Sequence, residues 1–269
     1  MEWLSRRQFL AGVGLASLAP ALPRSSWAAD RVSGVSLLRF EKLVASYPDL
    51  LAKIEDATLV WKDGTRMPLD DGVKGKSFEQ MLRNASLADQ LRQTYKRGKP
   101  AQNPGIDESP GRIRHEGFFT RMYGDCKKAE VTKRMRNVRW MPKTKSQVIQ
   151  VSTVNDVAGR LERVIAELDG MPDRFKAFLV PSAGTYNCRV VVDTGKPSMH
   201  ASGAAIDVST AKSDYWVWAR GKGTGAIPYR NKIPFEIVEA FEKENFVWGG
   251  KWYHYDTMHF EYRPEMFEV

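Results

Sequence analysis

Ser198-Met199-His200-Ala201-Ser202-Gly203-Ala204-Ala205-Ile206-Asp207 and Asp256-Thr257-Met258-His259-Phe260-Glu261 are the two stretches from which the rest of the chain is read. The first has the form S-x-H-x-x-G-x-A-x-D and the second D-x-x-H-F-E. A catalytic zinc takes three protein ligands from His, Asp and Glu and leaves a fourth position open. His200 and Asp207 can supply two, and the small Gly203 and Ala205 between them let the backbone turn close to the metal. His259 can supply the third. If the chain is extended from Ala205, Asp207 shares that residue's face and Ile206 points into a core. In the extended segment from Met258 to Tyr262, His259 and Glu261 share one face. That makes Glu261 a partner for orienting the ligand imidazole. Asp256 stands three residues before His259, a spacing that one turn closes. Its carboxylate then lies beside the open position, where it can take a proton from water and pass it to a leaving amine.

Upstream of the first motif, Tyr186 to Val192 has the composition of a strand holding Cys188 and Arg189. Arg189 suits either an oxyanion or a bidentate substrate carboxylate. The chain has four histidines, and the motifs use two. His254, beside Asp256, either touches substrate or belongs to an aromatic surface cluster; His115 reads as structural. Cys126 and Cys188 are far apart and form no C-x-x-C pair, so they are either one disulfide or two separate thiols.

Around the motifs the pattern is mixed. Val148 to Val151 reads as a strand. Asn155-Asp156 caps a helix with Val157, Leu161, Val164, Ile165 and Leu168 on one side. Pro234 opens another helix through Ile237, Val238 and Phe241. Phe246 to Trp248 is a strand, Gly249-Gly250 a turn, and the second motif leads into a final strand. Tyr215 to Trp218 begins an insertion that continues into Gly221-Lys222-Gly223-Thr224-Gly225. Farther back, Val32 to Ile54 has helical periodicity with a restart at Pro48-Asp49. Lys62-Asp63-Gly64 between Thr58–Trp61 and Thr65–Met67 signals a hairpin. Ser77-Phe78-Glu79-Gln80 is a capping box, and Ser86 starts a further short helix. Residues 97–111 read as a long loop.

In bulk, 269 residues with 42% hydrophobic content are enough for a real core. A net charge of +9 favours anionic partners. The basic run from Lys127 to Lys145 is either a polyanion patch or the solvated face of an amphipathic element. No finger, RNP sequence or helix-turn-helix accompanies it, so nucleic acid is not an expected partner. Residues 1–28 read as a twin-arginine signal peptide. Ser5-Arg6-Arg7-Gln8-Phe9-Leu10 precedes an apolar run, and Ser26-Trp27-Ala28 offers a cleavage site. The alternative is an N-terminal anchor. No later stretch is apolar enough to span a membrane. The expected location is therefore the periplasm or cell envelope.

From about Ala183 to Pro264 these residues resemble the zinc D-Ala-D-Ala dipeptidases and carboxypeptidases of the VanX and VanY type, with the related L-alanyl-D-glutamate endopeptidases. Gly184-Thr185-Tyr186-Asn187-Cys188-Arg189 is similar to that family's strand with its substrate-binding arginine. The resemblance implies one Zn2+ held by His200, Asp207 and His259, with Asp256 as base. Arg189 would stabilise the carbonyl oxygen, and Ser198 would help bind substrate. It implies an α+β fold, a small antiparallel sheet flanked by helices (hedgehog/DD-peptidase-like), over residues 146–269. Residues 29–145 would form a mostly helical extension of unknown role. Many D-Ala-D-Ala enzymes carry Glu where Asp256 stands. Asp there, followed by His-Phe-Glu, resembles the endopeptidase branch. The implied substrate is a peptidoglycan stem peptide. The competing reading is a non-catalytic, metal-stabilised binding module of the envelope.

Overall fold

The computed structural model describes residues 31–192, 194–219 and 226–268. The signal reading of residues 1–28 and the Gly221–Gly225 stretch lie outside them. In chain order the strands are β1 (Arg31–Val32), β2 (Val35–Ser36), β3 (Leu51–Glu55), β4 (Thr58–Trp61), β5 (Arg66–Pro68), β6 (Met135–Trp140), β7 (Gln147–Ser152), β8 (Ala205–Asp207), β9 (Phe246–Trp248) and β10 (His259–Tyr262). The helices are α1 (Leu37–Ser46), α2 (Phe78–Arg83), α3 (Leu87–Gln90), α4 (Glu116–Tyr123), α5 (Val157–Asp169), α6 (Lys176–Leu179), α7 (Trp216–Ala219) and α8 (Phe235–Lys243). The fold class is α+β, with small antiparallel sheets flanked by helices.

The sheet that carries the motifs has the order β8-β10-β9, all antiparallel. β10 is central, and all four of its residues are buried. Phe260 faces the helical layer and stacks on Phe241 of α8, with ring centroids 3.9 Å apart. Its alternate neighbours, His259 and Glu261, therefore turn to the other side, as the period of a strand requires. α5 presents Val157, Leu161, Val164, Ile165 and Leu168 at helical spacing, all buried, and packs on α8 and on the β6–β7 hairpin. The hairpin is tied to the first motif through the Ser152 amide, which donates to the Gly203 carbonyl at 2.9 Å.

The basic run resolves into solvated cations around buried apolar residues. Lys133, Arg134, Arg136 and Arg139 are exposed, whereas Val138 and Trp140 are buried. Lys133 and Arg134 lie in the 3-10 turn before β6 and Arg136 and Arg139 on β6 itself, all on solvated surface.

Two sequence expectations fail on local geometry. The helical periodicity from Val32 ends at Ser46, and Leu51–Glu55 is a strand instead. Asp56 and Ala57 both take positive φ (48° and 53°), a two-residue turn that folds β3 back onto β4 and makes strand pairing available. Tyr186 to Val192 is not a regular strand, because its pairing is limited to a few bonds with residues 196–200 on the returning chain. It makes only an isolated bridge at Val190↔Pro197, with the Val191 amide donating to Lys196 in a tight reversal. Arg189 thus sits on a loop. Cys126 and Cys188 are joined in a disulfide, so this loop is tied to the segment after α4. Closing a loop of 62 residues removes about 4 kcal/mol of denatured-state entropy in the chain model. The capping box at Ser77, the short helix after Ser86, the hairpin at Asp63-Gly64 and the helix after Pro234 all form.

Residues 31–269 form one compact unit, and one buried apolar cluster draws on both halves of it. Lys251 donates to the carbonyls of Lys96 and Gly98, both at 2.7 Å, and Trp252 to that of Pro110 at 2.7 Å. Arg263 donates to the carbonyl of Gly111 at 2.6 Å. β6 and β7 pair across the 145/146 boundary.

Gly203 closes the turn between His200 and β8 at φ +65°. A Cβ there would lie 2.9 Å from Met135 Cε and 3.3 Å from the Ser152 amide. Gly203→Ala is expected to cost about 1–2 kcal/mol from the left-handed backbone alone, read as a lower urea midpoint at unchanged slope.

Candidate metal centre

Register does the first half of the assembly. His259 and Asp207 are direct partners across β10 and β8, so their side chains leave the sheet together on one face. The second half is the 3-10 turn Met199–Ser202, which places His200 above that pair. Ser198 caps the turn, its Oγ accepting the His200 amide at 3.3 Å. The next atoms in are His200 Nε2, His259 Nδ1 and Asp207 Oδ1. Nδ1 of His259 lies 3.2 Å from His200 Nε2 and 3.0 Å from Asp207 Oδ1, and the third side of the triangle is 3.1 Å.

The outward nitrogens fix the tautomers. His200 Nδ1 faces the Thr185 carbonyl at 2.6 Å, which can only accept, so Nδ1 carries the hydrogen. His259 Nε2 faces Glu261 Oε2 at 2.8 Å and carries its hydrogen for the same reason. In the neutral rings both inner nitrogens then present lone pairs to one point, beside a carboxylate oxygen. Three acceptors this close repel one another unless a cation lies among them. A tetrahedral zinc with these ligands would separate them by roughly 3.3 Å, close to the distances found. The donor set of two imidazoles and a carboxylate fits zinc, and these three are the residues that could hold it. Glu261 takes the orienting role expected from its alternation with His259.

Charge follows the same geometry. Burial alone would push the Asp207 carboxyl up, but His200 and His259 beside it hold it well below the usual carboxylate range. Glu261, fully buried, is likewise raised by burial and pulled well below that range by Arg114, His259 and Arg263. Burial lowers His259, yet its bonds to Asp207 and Glu261 outweigh this and push it up to about 9.

Asp256 is different. Its amide donates to the Gly249 carbonyl at 3.0 Å, and its own carbonyl accepts the His259 amide at 3.2 Å across the expected turn. The side chain lines the same cleft as Asp207 and His259. Oδ1 is buried and has no hydrogen-bond partner among the described residues. Burial raises the carboxyl to about 6, with the charge of Asp207 adding to the effect. A desolvated carboxylate oxygen without a donor, on a residue that lines the cleft beside Asp207 and His259, is placed to receive a proton from water.

The cleft has a volume of about 480 Å³. Arg189 and Ser198 both line it, Arg189 from its exposed loop. His254 is not among the lining residues. It packs between the Phe78 ring (6.2 Å) and the Trp216 ring (4.7 Å), in the aromatic cluster. His115 caps α4, Nδ1 accepting the Phe118 amide at 2.9 Å. The sequence reading missed Arg112 and Arg114, which reach the cleft from a loop about 140 residues before the second motif. No local pattern marks them.

A family model described as D-alanyl-D-alanine carboxypeptidase matches residues 192–262. The match supports a peptidase and includes His200, Asp207, Asp256 and His259. No curated protein and no solved structure matches the chain.

The His259 shift has a measurable consequence in chelator-stripped protein. Its folded value of about 9 lies above the ordinary 6.5, so its contribution is complete below pH 6.5 and is lost as pH rises through 9. Stripped protein should lose on the order of 3 kcal/mol between pH 6.5 and 9.5, followed by urea unfolding. Zinc uptake should release protons over the same interval, because the ligand form of the ring is neutral.

Proposed function

We propose that the protein is an exported zinc-dependent peptidase that hydrolyses a peptide bond in peptidoglycan stem peptides. The observation that carries this reading is the clustering of His200, Asp207 and His259 at a cleft whose wall Asp207 and His259 share with Asp256, one of whose oxygens has no partner. When bound, zinc supplies Lewis acidity toward water and toward the carbonyl of the scissile bond. Asp256 accepts the proton of the attacking water at Oδ1 and returns it to the leaving amine nitrogen. Arg189 and Ser198 line the route by which a peptide enters. Arg189 offers the charge to meet the developing oxyanion or a substrate carboxylate.

The cleft walls fit this substrate class. Arg112, Arg114, Lys127, Arg189 and Lys196 line it, against Glu116, Asp125 and Asp256 outside the ligand group. Stem peptides are short and carry free carboxylates, which such a surface favours. Export rests on the twin-arginine sequence, and no described helix is long and apolar enough to cross a membrane. The matched family points to a terminal D-Ala-D-Ala bond. Asp at position 256 and the following His-Phe-Glu point instead to the L-Ala-D-Glu bond. A metal-stabilised binding module would gain nothing from an unsatisfied carboxylate oxygen beside its metal, which costs about 1–3 kcal/mol.

Purified protein incubated with muropeptides should release either single terminal alanine or a peptide cut after L-Ala, distinguished by mass spectrometry. Asp256→Ala should keep its zinc and lose roughly 10²–10⁴-fold in rate, whereas His200→Ala should lose the zinc itself. A wild type that retains zinc and releases no fragment from any muropeptide rules out the peptidase reading.

A further inference from the structure

Glu261 is completely buried, two residues after a metal ligand, and its neighbours form a closed set of charges. Its Oε2 accepts from His259 Nε2 at 2.8 Å and from Arg114 Nη2 at 2.5 Å. Its Oε1 accepts from Arg114 Nε at 3.2 Å and from Arg263 Nη1 at 2.8 Å. Arg263 is itself shared, for its Nε donates to Glu265 at 2.6 Å. Glu265 spends its remaining capacity on the Tyr47 hydroxyl at 2.5 Å and on Gln90 at 3.3 Å. Two carboxylates thus face two guanidinium groups. Without Arg114 one guanidinium would face both of these fully buried carboxylates. Arg114 is not a spare partner of an already neutral pair.

Its position adds a second argument. Arg114 is the member of this set that reaches the cleft wall, with its side chain 16% exposed, whereas Glu261, Arg263 and Glu265 are sealed. Its guanidinium lies 5.9 Å from the centroid of Trp252, whose ring packs 5.6 Å from that of His259. Arg114 therefore fixes His259 twice, through the carboxylate bonded to Nε2 and through the indole against the ring.

We infer that Arg114 is a positioning residue for the metal centre. By gripping both oxygens of Glu261 it sets the rotation of the His259 ring, and so aims Nδ1 at the point shared with His200 and Asp207. The inference rests on the metal-binding part of the proposed function. It also gives residues outside the matched 192–262 segment a task in that site.

The test is titration of the stripped full-length protein with zinc against a competing chelator. It is paired with the visible absorption spectrum of the cobalt-loaded form. Arg114→Met should weaken zinc binding about 10- to 100-fold, the range for loss of a partner that orients a ligand, and should change the cobalt spectrum. Arg114→Lys, which keeps the charge but not the two-pronged grip, should recover part of the affinity. Should Arg114→Met fail to fold, Arg114→Lys alone carries the test, with a fall in zinc affinity and a changed cobalt spectrum in folded protein as the expected result. Wild-type zinc affinity and cobalt spectrum in the folded variant overturn the inference, whatever happens to stability. Because these readouts involve no peptide, a wild type that binds zinc but cuts nothing defeats the peptidase reading and leaves Arg114's role standing.

Discussion

The pairing of His259 with Asp207 across β10 and β8 is the constraint on which the site depends. Antiparallel register brings two residues 52 positions apart to adjacent points on one face, where a carboxylate and an imidazole nitrogen meet at 3.0 Å. A slip of β10 by one residue would turn His259 to the other face and put Phe260 opposite Asp207. The register is held by Phe260 stacked on Phe241, by Ile206 buried beside it, and by Trp248 paired with Phe260 from the other edge. The apolar core thus secures a polar centre on the opposite face of the same sheet, and His200 needs only one short turn to join it.

A polar centre enclosed this way has to be neutralised from within the protein. Behind His259 the charges alternate: Glu261, then Arg263 and Arg114, then Glu265, with Tyr47 and Gln90 closing the series. Each buried ion has an oppositely charged neighbour within hydrogen-bond distance, the condition under which burying charge is tolerable. Asp256 stands outside this arrangement. One of its oxygens is left without a donor, and burial holds its carboxyl at about 6. The contrast between paired ligand candidates and an unpaired neighbour is the division on which the proposed mechanism rests.

Much of this was legible in the sequence. His200, Asp207, Asp256, His259 and Glu261 could be grouped because strand alternation and a three-residue turn are local rules. The amphipathic helix of Val157 to Leu168 and the capping box at Ser77 are equally local. Where the reading failed, the deciding contact was distant or negative. Val190, Val191 and Val192 have the side chains of a strand, but the chain doubles straight back on itself and leaves a single bridge at Val190↔Pro197, so Arg189 lies on a loop held by Cys126. The helical spacing before Ile54 was overridden by a turn at Asp56-Ala57 that exposes β3 to β4. Arg114 had no signal at all, since its partner lies 147 residues away.

That last separation bears on the N-terminal half. Sequence treats residues 29–145 as an extension with no counterpart, yet Pro110, Gly111 and Arg114 each bond to the strand-and-turn region that carries the second motif. Lys96 and Gly98 do the same for Lys251, and Arg39 reaches the carbonyls of Met266 and Phe267. These bonds end on backbone carbonyls or on the buried carboxylates of the charge series, groups that would otherwise be left unsatisfied once the sheet is covered. The C-terminal sheet therefore could not be cut free without exposing or orphaning them. The wall that bears Arg112 and Arg114 belongs to the same wrapping, so the segment that completes the core also shapes the cleft.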